Sequence, residues 1–308
     1  MSRTVTVGFD GSPQSRAAAD WAAREAGLRA LPLKVLHVRY PVPGNRAAPS
    51  GAESGHERTH RDPAGDAAEQ LRMRHPGVEV TADRVTGDPA LALAEAADAA
   101  ELLVLGSRGL GGLGGFLVGS VSLFVIAHTV RPLTLVRAEG QATWDDRETS
   151  AEVDGPSAPA PSRPVVVGLD IGDADGTLLG FAFDAAARRG AVLRAVHVWT
   201  EPPGDFRRFD GVRLHASLAR RQATALTDAL RPWRRKFPGV ERKFPGVEVI
   251  ETSRCGSAAQ VLVDASRDAC LAVVGRRIRT SPLGTHIGHV THAVLHHVVA
   301  PVAVVAHG

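Results

Sequence analysis

The chain repeats itself, and a chain made of two copies of one unit folds as two similar domains. Val5-Thr6-Val7-Gly8-Phe9-Asp10 returns 160 positions later as Val165-Val166-Val167-Gly168-Leu169-Asp170, and the same shift carries His37-Val38 onto His197-Val198. Further on the shift is 169: Pro76-Gly77-Val78-Glu79-Val80 falls on Pro245-Gly246-Val247-Glu248-Val249. Gly87, Gly106, Gly119 and Pro132 then fall on Gly256, Gly275, Gly288 and Pro301. Most of the change in shift comes from Arg235–Glu241, repeated unaltered as Arg242–Glu248, an insertion that a surface connection absorbs at small entropic cost. Every motif can therefore be read twice, and each difference between copies is informative.

The 308 residues suit two domains of ordinary size. No apolar run approaches the ~20 residues of a membrane span, and a strand pattern starts almost at the N-terminus, so a cytoplasmic protein is expected. Cys255 and Cys270 are the only cysteines. They read as reduced structural residues, Cys270 in an apolar strand and Cys255 before a glycine turn. The net charge is +3, the basic residues are nearly all arginine, and they are spread along the chain. Nucleic acid is not the expected partner.

Each half alternates apolar runs with helical patterns. In the first, strands are expected at Thr4–Phe9, Leu33–Val38, from Val78, at Leu102–Leu105 and at Leu133–Val136. Ser12-Pro13 and Asp88-Pro89 are helix starts. A helix ends near Arg74 and another begins at Gly119-Ser120. Such alternation implies a parallel sheet with helices on both faces, an α/β fold in each half. Ala138–Arg163, with Ser157-Ala158-Pro159-Ala160-Pro161-Ser162, reads as a linker. The expected division is a domain at 1–137, a linker at 138–163 and a domain at 164–308.

The chemistry is concentrated after the fourth strand, in Gly106-Ser107-Arg108-Gly109-Leu110-Gly111-Gly112-Leu113-Gly114-Gly115-Phe116-Leu117-Val118-Gly119-Ser120. Glycines let backbone N–H groups wrap an anion, the next helix offers its N-terminal N–H groups, and Ser120 adds a hydroxyl. The alternative is a merely flexible loop. Its position beyond a strand's C-terminal end favours ligand binding. Asp10 ends the first strand, which is expected beside the fourth. There it can accept from ribose hydroxyls or a base amine, or cap the following helix.

These residues resemble the universal stress protein family, whose nucleotide signature Gly-x2-Gly-x9-Gly-[Ser/Thr] is met by Gly106, Gly109, Gly119 and Ser120. Val7-Gly8-Phe9-Asp10-Gly11-Ser12, His37-Val38, Gly87-Asp88-Pro89 and Arg131-Pro132-Leu133-Thr134-Leu135-Val136 are similar to that family too. The resemblance covers both halves and leaves out the linker. It implies two flavodoxin-like (Rossmann-like) domains, each a five-stranded parallel sheet of order 3-2-1-4-5. Their last strands are free to pair antiparallel within the chain. It implies a stress-response signalling or scaffold module that binds ATP, with Mg²⁺ as an optional companion. The implied site comprises Gly8, Phe9, Asp10, Val38, Leu105, Gly106, Arg108, Gly109, Gly119, Ser120 and Val121, with adenine near Asp10 and Val38.

The second copy departs from the signature. Gly275 and Gly288 are kept, but Ile278 replaces Gly109 and His289 replaces Ser120. If the cradle needs positive φ at that glycine, a β-branched residue is strongly disfavoured. A weaker second site is expected at Asp170, Val198, Gly275, Gly288 and His289.

No Gly-x4-Gly-Lys-[Ser/Thr] loop, water-activating base or Mg²⁺ carboxylate set is evident, so at most slow ATP hydrolysis is expected. The alternatives are a slow ATPase or nucleotide-transferring enzyme on the same site, and a nucleotide-free scaffold. His289, His292, His296 and His297 read as surface histidines, with a metal or pH-sensing site as the minor alternative. No metal ligands are assigned. Leu123 and Phe124 are expected to form an apolar patch joining two chains into a homodimer, because Val121, Val125 and Ile126 already supply the core face of their helix.

Overall fold

The computed structural model describes residues 3–40, 62–109, 116–138, 163–173, 176–201, 211–236, 246–278 and 287–308. The glycine run at 110–115, most of the linker and most of the heptapeptide duplication lie outside these residues.

In the first half, β1 (Val5–Gly8), β2 (Leu33–Arg39), β3 (Val80–Thr86), β4 (Leu102–Gly109) and β6 (Leu133–Arg137) pair in parallel in the order β3-β2-β1-β4-β6. The two-residue β5 (Phe116–Leu117) lies off this path, antiparallel to the end of β4. In the second half, β7 (Val165–Leu169), β8 (Leu193–Trp199), β9 (Val249–Cys255), β10 (Leu271–Arg277) and β11 (Val302–His307) repeat the order as β9-β8-β7-β10-β11. Both are the expected 3-2-1-4-5 arrangement. The expected pairing of last strands is also present: Leu133, Thr134 and Leu135 face Val304, Ala303 and Val302 antiparallel. All ten strands thus form one continuous sheet, and neither last strand is left as an unpaired edge.

The helices are α1 (Pro13–Arg29), α2 (Pro63–Arg74), α3 (Pro89–Ala99), α4 (Ser120–His128), α5 (Gly176–Arg189), α6 (Gly211–Lys236), α7 (Ala258–Ala265) and α8 (His289–His297). Local chemistry sets their ends. Ser12 accepts from the Ser15 N–H to start α1, and Asp88 accepts from the Ala90 and Leu91 N–H groups to start α3. The buried face of α1 is mostly alanine, which lets the helix lie close on the sheet. Gly106 completes that fit: a Cβ there would sit 2.6 Å from the Gln14 carbonyl carbon and 2.9 Å from the Ser15 nitrogen.

One face of the sheet carries a single core shared by both halves, from Leu93, Leu105 and Val125 to Leu262, Val274 and Val294. Buried arginines tie the halves there. Arg137 donates to the Leu295 carbonyl at 2.6 Å near the end of α8. Arg276 donates to the Thr129 carbonyl at 2.5 Å, at the end of α4. Cations suit helix C-termini. Each arginine has a small residue beside it on the neighbouring strand, Ser107 next to Arg137 and Ala306 next to Arg276. On the opposite face the halves keep separate cores, bridged by Trp21 and Phe181.

The expected Leu123–Phe124 surface patch is corrected. Leu123 is half-buried and packs on the shared core beside Val121. Phe124 is also half-buried, its ring stacked on His128 with centroids 4.0 Å apart. α4 packs on α3, and its C-terminal end reaches the other domain through Arg276, so more than one face of the helix is covered.

Candidate functional site

The first candidate site stands at the C-terminal ends of β1, β2 and β4. The Phe9 N–H extends the β1 ladder by donating to the Leu36 carbonyl at 2.8 Å. His37 Nδ1 donates to the Phe9 carbonyl at 2.7 Å, so the paired histidine braces the strand end. The chain then turns at Gly11, whose φ of +82° suits glycine. Asp10 is exposed, and its Oδ1 accepts from the Ser12 N–H at 2.9 Å. Partial burial pushes its carboxyl upward, but hydrogen bonds from Ser12 and Ser15 outweigh that and hold it below the ordinary carboxylate range. Asp10 lies just past β1, and Ser12, not Asp10, is the cap of α1.

Gly8, Asp10, Val38, Leu105 and Gly106 share this end of the sheet through the pairing of β1 with β2 and β4. Their roles differ. Val38 packs on the shared core and Leu105 is buried in it. A Cβ on Gly8 would meet Leu105 at 2.6 Å and Leu93 at 3.1 Å. Phe9 turns the other way, into the core beneath α1, so its side chain does not face the crevice, although its backbone does border it. Period 2 announces this: Val5, Val7 and Phe9 share one face.

Gly109 closes β4 and pairs antiparallel with Phe116, as Arg108 does with Leu117. α4 begins three residues after this pairing. Gly119 is the cap of α4 at φ −65°, with open space where a Cβ would project, and Ser120 follows, exposed. Val121 is half-buried against the core. The first N–H groups of α4 have no partner within the helix.

In the second half, Asp170 Oδ1 accepts from the Gly172 N–H at 3.1 Å and Oδ2 from Arg277 Nη2 at 3.0 Å. A cavity of about 590 Å³ opens there, lined among others by Asp170, His197, Val198, Trp199, Ser257 and His289. It gathers three of the five residues expected of the weaker site. Gly288 caps α8. Gly275 serves packing: His307 Nε2 lies 2.6 Å from where its Cβ would be. His197 repeats the brace of His37, its Nδ1 donating to the Leu169 carbonyl at 3.1 Å, with Nε2 3.1 Å from Gln222 Oε1.

The positive-φ argument against Ile278 is corrected. Ile278 extends β10, donating its N–H to the His307 carbonyl at 2.7 Å, and among the described residues Ala30 is the one non-glycine at positive φ. Gly109 likewise runs on as strand. The cavity residues Trp199, Gln222 and Ser257 were not anticipated. The match of Gly87-Asp88 with Gly256-Ser257 was the available signal for the last of them.

Among the described residues no helix is long and apolar enough to cross a membrane. The model of the universal stress protein family matches residues 1–137 and 161–306. The universal stress protein Rv1996 of Mycobacterium tuberculosis is 30% identical over 322 residues, covering 97% of this chain and 94% of that protein. Rv2005c of the same organism, also a universal stress protein, is 31% identical over 316 residues, covering 97% and 96%. The crystal structure of a universal stress protein from Archaeoglobus fulgidus DSM 4304 superposes over 100% of both chains with a TM-score of 0.61 at 16% identity, a likeness of fold. With both halves matched and full-length relatives of the same two-copy size, this chain belongs to the universal stress protein family.

Proposed function

We propose that the chain is an ATP-binding stress-response module, used for signalling or scaffolding, whose first domain (1–137) holds the nucleotide. The second domain (164–308, after the linker at 138–163) binds it more weakly. The observation that carries this reading is the crevice between β1 and β4. These strands are neighbours, yet α1 after β1 packs on one face of the sheet and α4 after β4 on the other. Ligands of open α/β sheets bind at such a switch point. Here it presents an ionised Asp10 suited to ribose hydroxyls or a base amine, the N-terminal N–H groups of α4, Ser120, and open space at Gly11 and Gly119 for close backbone approach. In the second domain Asp170 is engaged by Arg277, and His289 stands where Ser120 would donate.

ATP supplies the adenine, ribose and phosphates. Asp10 holds a sugar or base donor, and the α4 N-terminus with Ser120 holds phosphate, with Mg²⁺ optional. Among the described residues none at this end is placed as a base for water, which supports a reading of binding with slow turnover. A homodimer also belongs to the proposal, on family resemblance, through a surface other than Leu123–Phe124.

Titration calorimetry with ATP tests the reading. One tight site per chain is expected, lost in Asp10→Ala and kept in Asp170→Ala. Two equal sites, or indifference to Asp10→Ala, would overturn it. Phosphate release at saturating ATP should stay below the enzyme range of about 1–10³ s⁻¹; a rate inside that range would favour the ATPase alternative.

A further inference from the structure

We infer that Glu201, His215 and Cys255 form a divalent-metal site, suited to Zn²⁺, beside the cavity of the second domain. One ligand atom from each of the three lies within 4.8 Å of the others, and all three side chains are exposed. His215 Nδ1 is 2.6 Å from Glu201 Oε1. The residues come from three separate elements: Glu201 just past β8, His215 on α6 and Cys255 at the end of β9.

The frame beneath them is rigid. Trp199 and Cys255 are paired across β8 and β9, and the Gly256 N–H donates to the Trp199 carbonyl at 2.9 Å, locking the two strand ends together. Trp199 is only 7% exposed, and its ring lies against that of His215 with centroids 5.4 Å apart. The buried indole thus limits how the imidazole can turn.

The donor set selects the metal. Thiolate, imidazole and carboxylate together suit Zn²⁺, whereas Mg²⁺ and Ca²⁺ want oxygen alone. Zinc bonds of about 2.0–2.3 Å in a tetrahedron hold ligand atoms about 3.5 Å apart. Exposed side chains reach that spacing by small rotations. The proton between His215 and Glu201 is displaced by the cation, and the Cys255 thiol releases its own. Three protein ligands leave a fourth position for water or a bound molecule.

The two copies differ at this place. The counterparts of Glu201 and Cys255 in the first half are Pro41 and Thr86, which bring neither carboxylate nor thiol. The set belongs to the second domain alone. Trp199 and Gly256, which build its frame, also line the cavity, so the metal would sit at the mouth of the site that has lost the phosphate signature.

The test uses the full-length protein, stripped with chelator and kept reduced, and titrated with zinc chloride against a chromophoric chelator. One zinc per chain is expected. Cys255→Ser and His215→Ala should each weaken it by at least about tenfold, since even ligand-supporting residues carry that much. Cobalt in place of zinc should give a thiolate charge-transfer absorption that Cys255→Ser abolishes. Circular dichroism checks that the variants fold. The double variant His292→Ala/His296→Ala should keep the zinc. No zinc binding, zinc binding unchanged in Cys255→Ser and His215→Ala, or binding lost only in the α8 histidine variant would each overturn the inference.

Discussion

Replacing Glu25 with alanine removes the buried carboxylate from a charge cluster that joins the two domains, in which the part-exposed Asp184 also lies 3.6 Å from Arg29. Glu25 lies on α1 with its side chain 1% exposed. It binds Arg29 one turn later at 2.6 Å and Arg189 at the end of α5, side chains that are 6% and 13% exposed. Arg29 and Arg189 also lie over the rings of Phe181 and Trp21, each across the domain boundary. Burial pushes the Glu25 carboxyl upward, but Arg189 and Arg29 outweigh it and hold it below the usual glutamate range. Without Glu25, two guanidiniums stay largely buried with their shared partner gone and the part-exposed Asp184 left beside Arg29, a loss of about 3–5 kcal/mol. At roughly 2 °C per kcal/mol for a chain of this size, Tm should fall by about 6–10 °C. Replacing all three together, as Glu25→Leu/Arg29→Met/Arg189→Met, should recover most of the loss, since apolar packing substitutes well for a buried ion group. The near-isosteric Glu25→Gln isolates the charge. The folded pKa is depressed, so the charge stabilises fully above the unfolded value of about 4.3 and less as pH falls through the folded value. The Tm gap between wild type and Glu25→Gln should therefore be wide at neutral pH and close in acid. A Glu25→Ala Tm within about 2 °C of wild type, or a Glu25→Gln gap independent of pH, would refute the reasoning.

Two glycines of the signature should behave oppositely. Gly106→Ala drives a Cβ into the Gln14–Ser15 backbone and should cost about 1–3 kcal/mol by chemical denaturation, whereas Gly119→Ser, facing open space at a helix cap that serine suits at least as well as glycine, should cost nothing; equal losses would contradict the packing account. Leu123→Glu places a charge against the shared core and should lower Tm while leaving the mass measured by light scattering unchanged; a change of mass without loss of stability would restore the surface patch.

The alternation of strands and helices was legible from the repeat, the strand order from the resemblance to the universal stress protein family, and the joining of the two sheets from that resemblance together with the need to cover apolar last strands. Glycine was the harder letter to read. Gly106 looks like part of a phosphate cradle, and its missing Cβ is used by the backbone of α1. Gly275 makes room for His307 and Leu178. The sequence records only that a Cβ is excluded, and a helix, a side chain or a ligand excludes it equally well. Ile278 was misread for a related reason: a glycine in a loop motif suggests positive φ, yet the strand runs on through that position in both copies.

The arginines and the shared core were not legible, because both depend on a face that exists only once the domains have met. Arg137 and Arg276 look like ordinary strand-end cations in a chain where most basic residues are exposed. Their burial follows from the antiparallel pairing of β6 with β11, which brings the ends of α4 and α8 across the junction to meet them. The same junction covers Leu123. It also lies directly beside both ligand-end motifs, since α4 and α8 begin at the candidate sites with Ser120 and His289 and end on the other domain's arginine. Each candidate site is therefore one helix length from a buried contact with the opposite domain. Ser120 against His289 and Gly109 against Ile278 are thus differences on a frame whose far end is held in the same way in both domains, and the second domain has its cavity on that frame with Gly275 and Gly288 kept.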